Sequence, residues 1–199
     1  MTYSYRIFQM IERISIKIAS IPQITGTLSS DDIELYAYGF FILISKMVFG
    51  ILTVLFGIIF GIVIECIIFY IAFMLLRGYA GGMHAGTEKL CTVLTTIAMF
   101  SSACLIRLAD EFIDPVLAII AGICCAIIIA ALSPVESSAK PLSPTEYKRY
   151  RYISEFIVLG IIVVSITAYI LNAYFIIYPI TVCMLLETVL ITLAVARES

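Results

Sequence analysis

Charged residues are scarce in this chain, and tryptophan is absent altogether. Asp, Glu, Lys and Arg together make up 13% of its 199 residues, whereas soluble domains carry about 25%. Histidine occurs once, at His84, and no Cys-x-x-Cys pair is present. Both absences argue against a zinc site, which needs several nitrogen, sulfur or oxygen ligands. We therefore expect neither a metal nor another cofactor.

The chain also lacks the motifs of several functional classes. Neither His-Glu-x-x-His nor Gly-x-Ser-x-Gly occurs, which argues against a zincin metalloprotease and a nucleophile-elbow serine hydrolase. The net charge is -2 and no basic tract is present, so nucleic acid is not an expected partner. The cysteines lie mostly in apolar runs without paired spacing, and we predict that they are free thiols. They occupy positions 66, 91, 104, 124, 125 and 183.

Apolar sequence is what the chain has in abundance. Hydrophobic residues account for 62% of it, and the mean hydropathy is +1.12. A helix needs about 20 mostly apolar residues to cross a bilayer, and the sequence has room for about six such stretches. We therefore predict an all-α, polytopic transmembrane helix bundle in a single membrane domain, with the lipid bilayer as its main partner.

Polar or glycine-containing breaks separate the predicted spans. Residues 33–76 are long enough to cross twice, and Gly50, Gly57 and Gly61 mark where a tight turn could fall. We place the turn near residues 50–56. Two spans follow within 88–132 and two within 152–196. Their individual limits are 88–108, 114–132, 152–171 and 174–196. The segments 77–90 and 133–151 are predicted to be the two larger polar loops.

The first 25 residues have the pattern of an amphipathic helix. Isoleucines recur at alternating steps of four and three residues, at positions 7, 11, 14, 18 and 21, while Arg6, Arg13 and Lys17 fall elsewhere on the helix. Such a helix suits the membrane interface. Packing against the rest of the protein explains the same pattern equally well, so both placements remain open.

The distribution of Lys and Arg predicts the orientation. With the N-terminus inside, ten of the twelve fall in cytoplasmic segments, as the positive-inside rule requires. We therefore expect both termini in the cytoplasm. Loops 77–90 and 133–151 then lie on the same cytoplasmic side of a multi-pass cell-membrane protein.

A thiol and an imidazole lie close together in the first of these loops. Cys91 follows His84 by seven residues, which on one continuous helix would separate them by about 10 Å along the axis. Because a general base must lie within hydrogen-bond reach of its nucleophile, the chain must break between them. Gly86 and Thr87 suit that break, and Thr87 is a good N-cap for a helix through Cys91.

In that arrangement Cys91 lies in the first helical turn. The helix dipole and Lys89 would favour its thiolate, and the backbone N–H groups of the first turn could stabilise an oxyanion. A single His and a Cys at a membrane boundary are, taken alone, more often incidental than catalytic. Arg77 is likewise either a cation at the membrane edge or a ligand for a substrate carboxylate or backbone carbonyls.

Two acidic residues lie inside predicted spans. Glu65 and Glu187 would be costly in a bilayer, which makes them candidates for function by default. Either could be protonated or could pair with an Arg from the same end of the protein. A small non-catalytic transporter or channel subunit that uses these two residues is therefore the alternative to an enzyme.

The loop residues resemble a known family, the AgrB-type accessory gene regulator proteins. The likeness consists of Arg77, then Tyr-Ala-Gly-Gly at 79–82, His84-Ala85, and Cys91 at the edge of an apolar span. Ser133-Pro134, followed by Lys-Pro-Leu at 140–142 and Lys148-Arg149, is similar to the family's second cytoplasmic loop.

The resemblance implies a membrane cysteine endopeptidase of bacterial quorum sensing. Such an enzyme cleaves an AgrD-like propeptide through an acyl-enzyme thioester and allows it to cyclise to a thiolactone or lactone. The family pattern assigns Cys91 as the nucleophile and His84 as its base. It also implies that Arg77 and Gly82 are needed for activity, that Lys140 and Pro141 belong to the substrate-contacting loop, and that the protein is a homodimer.

Overall fold

The computed structural model of the protein describes residues 13–18, 30–82, 88–135 and 143–198. Within these ranges, six helices are long and apolar enough to cross a membrane. The predicted all-α transmembrane architecture is therefore confirmed. The helices are α1 (Ser30–Phe60), α2 (Val63–Ala80), α3 (Glu88–Phe112), α4 (Pro115–Leu132), α5 (Pro144–Ile170) and α6 (Ile177–Glu198), with a 3₁₀ turn at Tyr174–Ile176 before α6.

Only part of the predicted N-terminal amphipathic helix falls within the described residues. Residues 13–18 are helical, with Ser15 buried and Ile14 and Ile16 exposed. The remainder of residues 1–25 lies outside the described residues. The placement of this helix at the interface, and the location of both termini in the cytoplasm, stay predictions.

The turn predicted near residues 50–56 is wrong, because α1 continues through that stretch to Phe60. The chain turns instead at Gly61, whose φ of 71° is in the left-handed region that favours glycine. Gly50 and Gly57 stay helical, since a helix keeps its backbone groups paired within an apolar span. Glycine in an apolar run was therefore an insufficient signal for a turn.

Two other helices extend further than predicted. α3 continues to Phe112 rather than ending near residue 108, and α4 then begins after Asp114, whose side chain accepts a hydrogen bond from the Val116 N–H. α5 begins at Pro144, eight residues before the predicted residue 152. Ser143 and Glu146 form a capping box there, so polar residues near a span can still be helical.

The chain divides into two compact units. One comprises residues 1–52 and 86–96, and the other residues 53–85 and 97–199. In the larger unit, α5 and α6 each pack on both α2 and α4. Of the two, α6 is the more buried, and we call it the central helix. Half of the residues in the apolar stretch of α6 are buried, compared with 28% or less in the corresponding stretches of the other spans.

Candidate functional site

An ion pair joins α2 to α6 inside the larger unit. Arg77 lies in the last turn of α2, and its Nη1 is 3.8 Å from Oε1 of Glu187 on α6. The Glu187 side chain is 0% exposed and that of Arg77 is 20% exposed. One of the two acids predicted within spans is thus paired with an arginine.

The Glu187 carboxylate is otherwise poorly satisfied. Neither of its oxygens accepts a hydrogen bond from the described part of the chain. A buried carboxylate without hydrogen bonds is costly, and a nearby opposite charge offsets part of that cost. Arg77 is therefore the main compensation for the negative charge of Glu187.

The same guanidinium contacts the chain that follows α2. Its Nη1 donates a 2.7 Å hydrogen bond to the Gly81 carbonyl oxygen. Gly82 is buried with a φ of 122°, and a Cβ added there would overlap the Arg77 guanidinium. The backbone conformation therefore favours glycine at position 82, and a methyl group there would displace the Arg77 guanidinium.

Gly81 connects this turn to the segment after α4. It forms an isolated parallel bridge with Val135, and the Val135 N–H donates a 3.0 Å hydrogen bond to the Ala80 carbonyl oxygen. The φ of Gly81 is 79°, and an added Cβ would overlap the Val135 carbonyl oxygen. The beginnings of the two predicted polar loops are therefore held against each other by backbone contacts.

A buried hydroxyl pair ties the second loop to α5. The Oγ atoms of Ser133 and Ser154 are 3.0 Å apart and both side chains are buried. Ser133 was expected only through the family pattern, and Val135 and Ser154 were not among the predicted site residues. Ser154 lies in the polar first part of α5, where the sequence gives little sign of burial, and its partner 21 residues away cannot be read from sequence.

Glu65 does not join this cluster. It is half-buried in the first turn of α2, where the positive end of the helix dipole accommodates a carboxylate. Arg77 follows twelve residues later on the same helix, about 18 Å away along the axis at roughly 1.5 Å per residue. The structure thus separates the two acids that the sequence could not distinguish.

Cys91 belongs to the smaller unit and is exposed. It is the fourth residue of α3, which begins at Glu88. Because the Cα–Cβ bonds of a helix tilt toward its N-terminus, the thiol is directed toward the end where backbone N–H groups lack helical partners. The predicted position of Cys91 in the first turn agrees with these helix bounds.

Several predicted site residues lie outside the described residues. They are His84, Lys140 and Pro141, together with the break expected at Gly86 and Thr87. The proximity of His84 to Cys91 therefore stays a prediction. Within the described residues, no group of His, Cys, Asp and Glu has the geometry of a metal site.

Comparison with known sequences now identifies the family. The sequence profile described as "Accessory gene regulator B" matches residues 11–192, most of the chain. The chain belongs to the AgrB family. The profile spans all six apolar helices, so the family pattern seen in the loops extends to the whole membrane domain.

Relatives that bear the AgrB-like name are distant. AgrB-like protein 2 of Clostridium perfringens (strain 13) is 29% identical over 151 residues, covering 71% of this chain and 68% of the relative. A Lactiplantibacillus plantarum AgrB-like protein is 26% identical over 99 residues, covering 50% of this chain and 49% of the relative. No solved structure matches this AgrB family chain.

Proposed function

We propose that this chain is a membrane cysteine endopeptidase that cleaves an AgrD-like propeptide in accessory gene regulator autoinducer processing. The observation that carries the proposal is the exposed Cys91 in the first turn of α3, seven residues after the only histidine, in a chain of the AgrB family. A nucleophile at a helix N-terminus has backbone N–H groups nearby for the oxyanion of acyl transfer.

In the first step, His84 accepts the thiol proton of Cys91, and the Cys91 Sγ attacks the scissile carbonyl carbon. The tetrahedral intermediate collapses when the C–N bond breaks and His84 gives its proton to the leaving nitrogen. The C-terminal fragment departs as an amine. The N-terminal part of the propeptide remains on Cys91 as a thioester.

In the second step, a thiol or hydroxyl within the propeptide attacks the thioester carbonyl. Its proton passes through His84 to the Cys91 sulfur, which leaves as the free thiol. The product is a thiolactone or lactone ring. Water competes for the same thioester, so ring closure requires a site from which water is largely excluded.

The ion pair supports a structural role for Arg77 in this enzyme. Its hydrogen bond to Gly81 and its pairing with Glu187 hold the turn that leads to His84. Binding of a substrate carboxylate by Arg77 has less support from these contacts. Lys140 and Pro141 are assigned to substrate contact by the family pattern.

The remaining features of the proposal concern the setting of the site. We place it on the cytoplasmic side of a bacterial cell membrane, where an amphipathic propeptide leader would lie in the plane of the bilayer. A homodimer is the proposed assembly. The alternative of a transporter that uses Glu65 and Glu187 loses support, because Glu187 is paired with Arg77 and Glu65 is at the other end of α2.

Cysteine variants test the nucleophile. The chain is co-expressed with its AgrD-like propeptide, and release of the C-terminal fragment is followed by mass spectrometry. Cys91→Ala should reduce cleavage by about a thousandfold or more, as removal of a covalent nucleophile does. Cys124→Ala is the matched control, because that cysteine is also exposed on a helix and should cleave normally. Cleavage by Cys91→Ala at the wild-type rate would overturn the proposal.

A further inference from the structure

Glu187 is the one fully buried acid in the described part of the chain, and the reaction above gives it no chemical step. We propose that Glu187 is a positioning residue: through Arg77 it fixes the Gly81–Gly82 turn, and thereby the approach of His84 to the reaction. The catalytic part of this inference rests on the proposed function. The structural part, that Glu187 holds the turn, does not.

Side-chain and backbone contacts connect Glu187 on α6 to the first residues of both polar loops. Glu187 faces Arg77 at 3.8 Å, and Arg77 donates to the Gly81 carbonyl. Gly81 in turn bridges Val135. A substitution at position 187 is therefore expected to alter the structure at the start of each polar loop. Glu187 itself lies in the middle of α6 and belongs to neither loop.

A role in stability alone explains Glu187 poorly. Replacing a buried ion pair by apolar residues of similar volume is often neutral or stabilising, because two desolvated charges are removed together. A buried carboxylate that accepts no hydrogen bond from the described residues contributes little to the free energy of unfolding. It does, however, attract a guanidinium, and within the described residues the cation that it faces is Arg77.

The geometry at Gly82 explains why the position of the guanidinium matters. Gly82 lies so close to Arg77 that a Cβ there would displace the guanidinium, and two residues later the chain reaches His84. A guanidinium released from Glu187 can change its contact with this turn. A displacement of about 1 Å at a reacting group can lower a rate by about a hundredfold.

The test uses Glu187→Gln, which keeps the side-chain shape and removes the charge, in full-length protein reconstituted in lipid nanodiscs. Glu65→Gln is the matched control, because it neutralises the other acid predicted within a span. Two measurements are made on each variant. Hydrogen exchange of the segments around residues 78–90 and 133–142 reports on the turn, and propeptide cleavage reports on the reaction as kcat and KM.

Glu187→Gln should raise exchange in both segments and lower kcat by about tenfold to a hundredfold, with KM nearly unchanged. Glu65→Gln should change neither measurement. A second variant, Arg77→Met with Glu187→Met, keeps the protein folded if the pair is not needed for stability. It should accumulate like wild type and still show the raised exchange and the low kcat.

The outcomes separate this inference from the proposed function. If wild type does not cleave the propeptide but Glu187→Gln still raises exchange in both segments, the proposed function fails and the structural role of Glu187 stands. If wild type cleaves and Glu187→Gln matches it in exchange and kcat, the inference is overturned and the proposed function stands. Wild-type kcat in the double methionine variant would overturn the inference as well.

Discussion

The two ends of the larger unit are held together by different chemistry. Near the beginning of α6, the Tyr178 hydroxyl donates to the Ile113 carbonyl at 2.9 Å and the Thr181 hydroxyl donates to the Ala118 carbonyl at 3.1 Å. At the middle of α6, Glu187 faces Arg77, which lies in the last turn of α2. The neutral end, at the start of α6, is therefore joined by hydrogen bonds, whereas the charged end, at the last turn of α2, adds an ion pair to the neutral contact between Ser133 and Ser154.

This difference between the two ends indicates that the charged end is the functional one. A neutral hydroxyl that bonds to a carbonyl satisfies its own polarity at little cost, which is the usual solution inside apolar helices. A buried carboxylate is expensive and is usually retained for a reason other than stability. The charged end is also where α2 runs into the turn before His84, and where the two polar loops begin.

The largest expected effect at the charged end is that of Gly82→Ala. A methyl group there overlaps the Arg77 guanidinium, and the φ of 122° is unfavourable for alanine. Cleavage should fall by about a hundredfold. Gly78→Ala is the control, since a Cβ at Gly78 meets no atom within 4 Å. Equal cleavage by the two variants would contradict the account of the turn.

A smaller effect is expected for Ser154→Ala, which removes the hydroxyl partner of buried Ser133. Leaving one polar group unpaired in an apolar interior costs about 1 kcal/mol. Thermal unfolding in detergent should show this loss, and cleavage should drop only a few-fold. Ser101→Ala is the comparison, because the Ser101 hydroxyl bonds to carbonyls of its own helix and is exposed. Destabilisation of the two variants by the same amount would count against the tie between α5 and the second loop.

The smallest effect on cleavage is expected at the neutral end, for Tyr178→Phe. The Ile113 carbonyl loses its donor, which should cost about 1 kcal/mol of stability. The cleavage rate at a temperature well below unfolding should remain that of wild type. A loss of cleavage as large as that of Gly82→Ala would mean that the two ends do not differ as described.

The fold was largely predictable because span length and hydropathy follow from the thickness of the bilayer. Helix ends were less so. Gly50, Gly57 and Gly61 look alike in sequence, yet only Gly61 adopts a positive φ. That choice depends on how the flanking helices pack, which a single sequence does not encode locally.

For the candidate site, individual residues were predictable from the sequence, but most of their contacts were not. Arg77 and Glu187 were predicted from local signals, namely a cation at the end of a span and an acid in an apolar run, whereas Gly82 was assigned only by the family resemblance. Pairing of an acid with an arginine was one expected alternative, but the choice of Glu187 over Glu65 was not predictable, because it depends on how α2 and α6 align across about a hundred residues of chain. Val135 gives no local signal for its contact with Gly81, because that contact is made through the backbone.

The central claim is that Cys91 forms a thioester with the propeptide. A propeptide whose internal thiol or hydroxyl is replaced by Ala cannot close the ring, so the acyl-enzyme should accumulate. The measurement is mass spectrometry of the intact protein, followed by peptide mapping. The account predicts an added mass equal to the N-terminal propeptide fragment, located on Cys91 and absent from Cys91→Ala. An adduct on another residue, or cleavage with no adduct at any time, would contradict it.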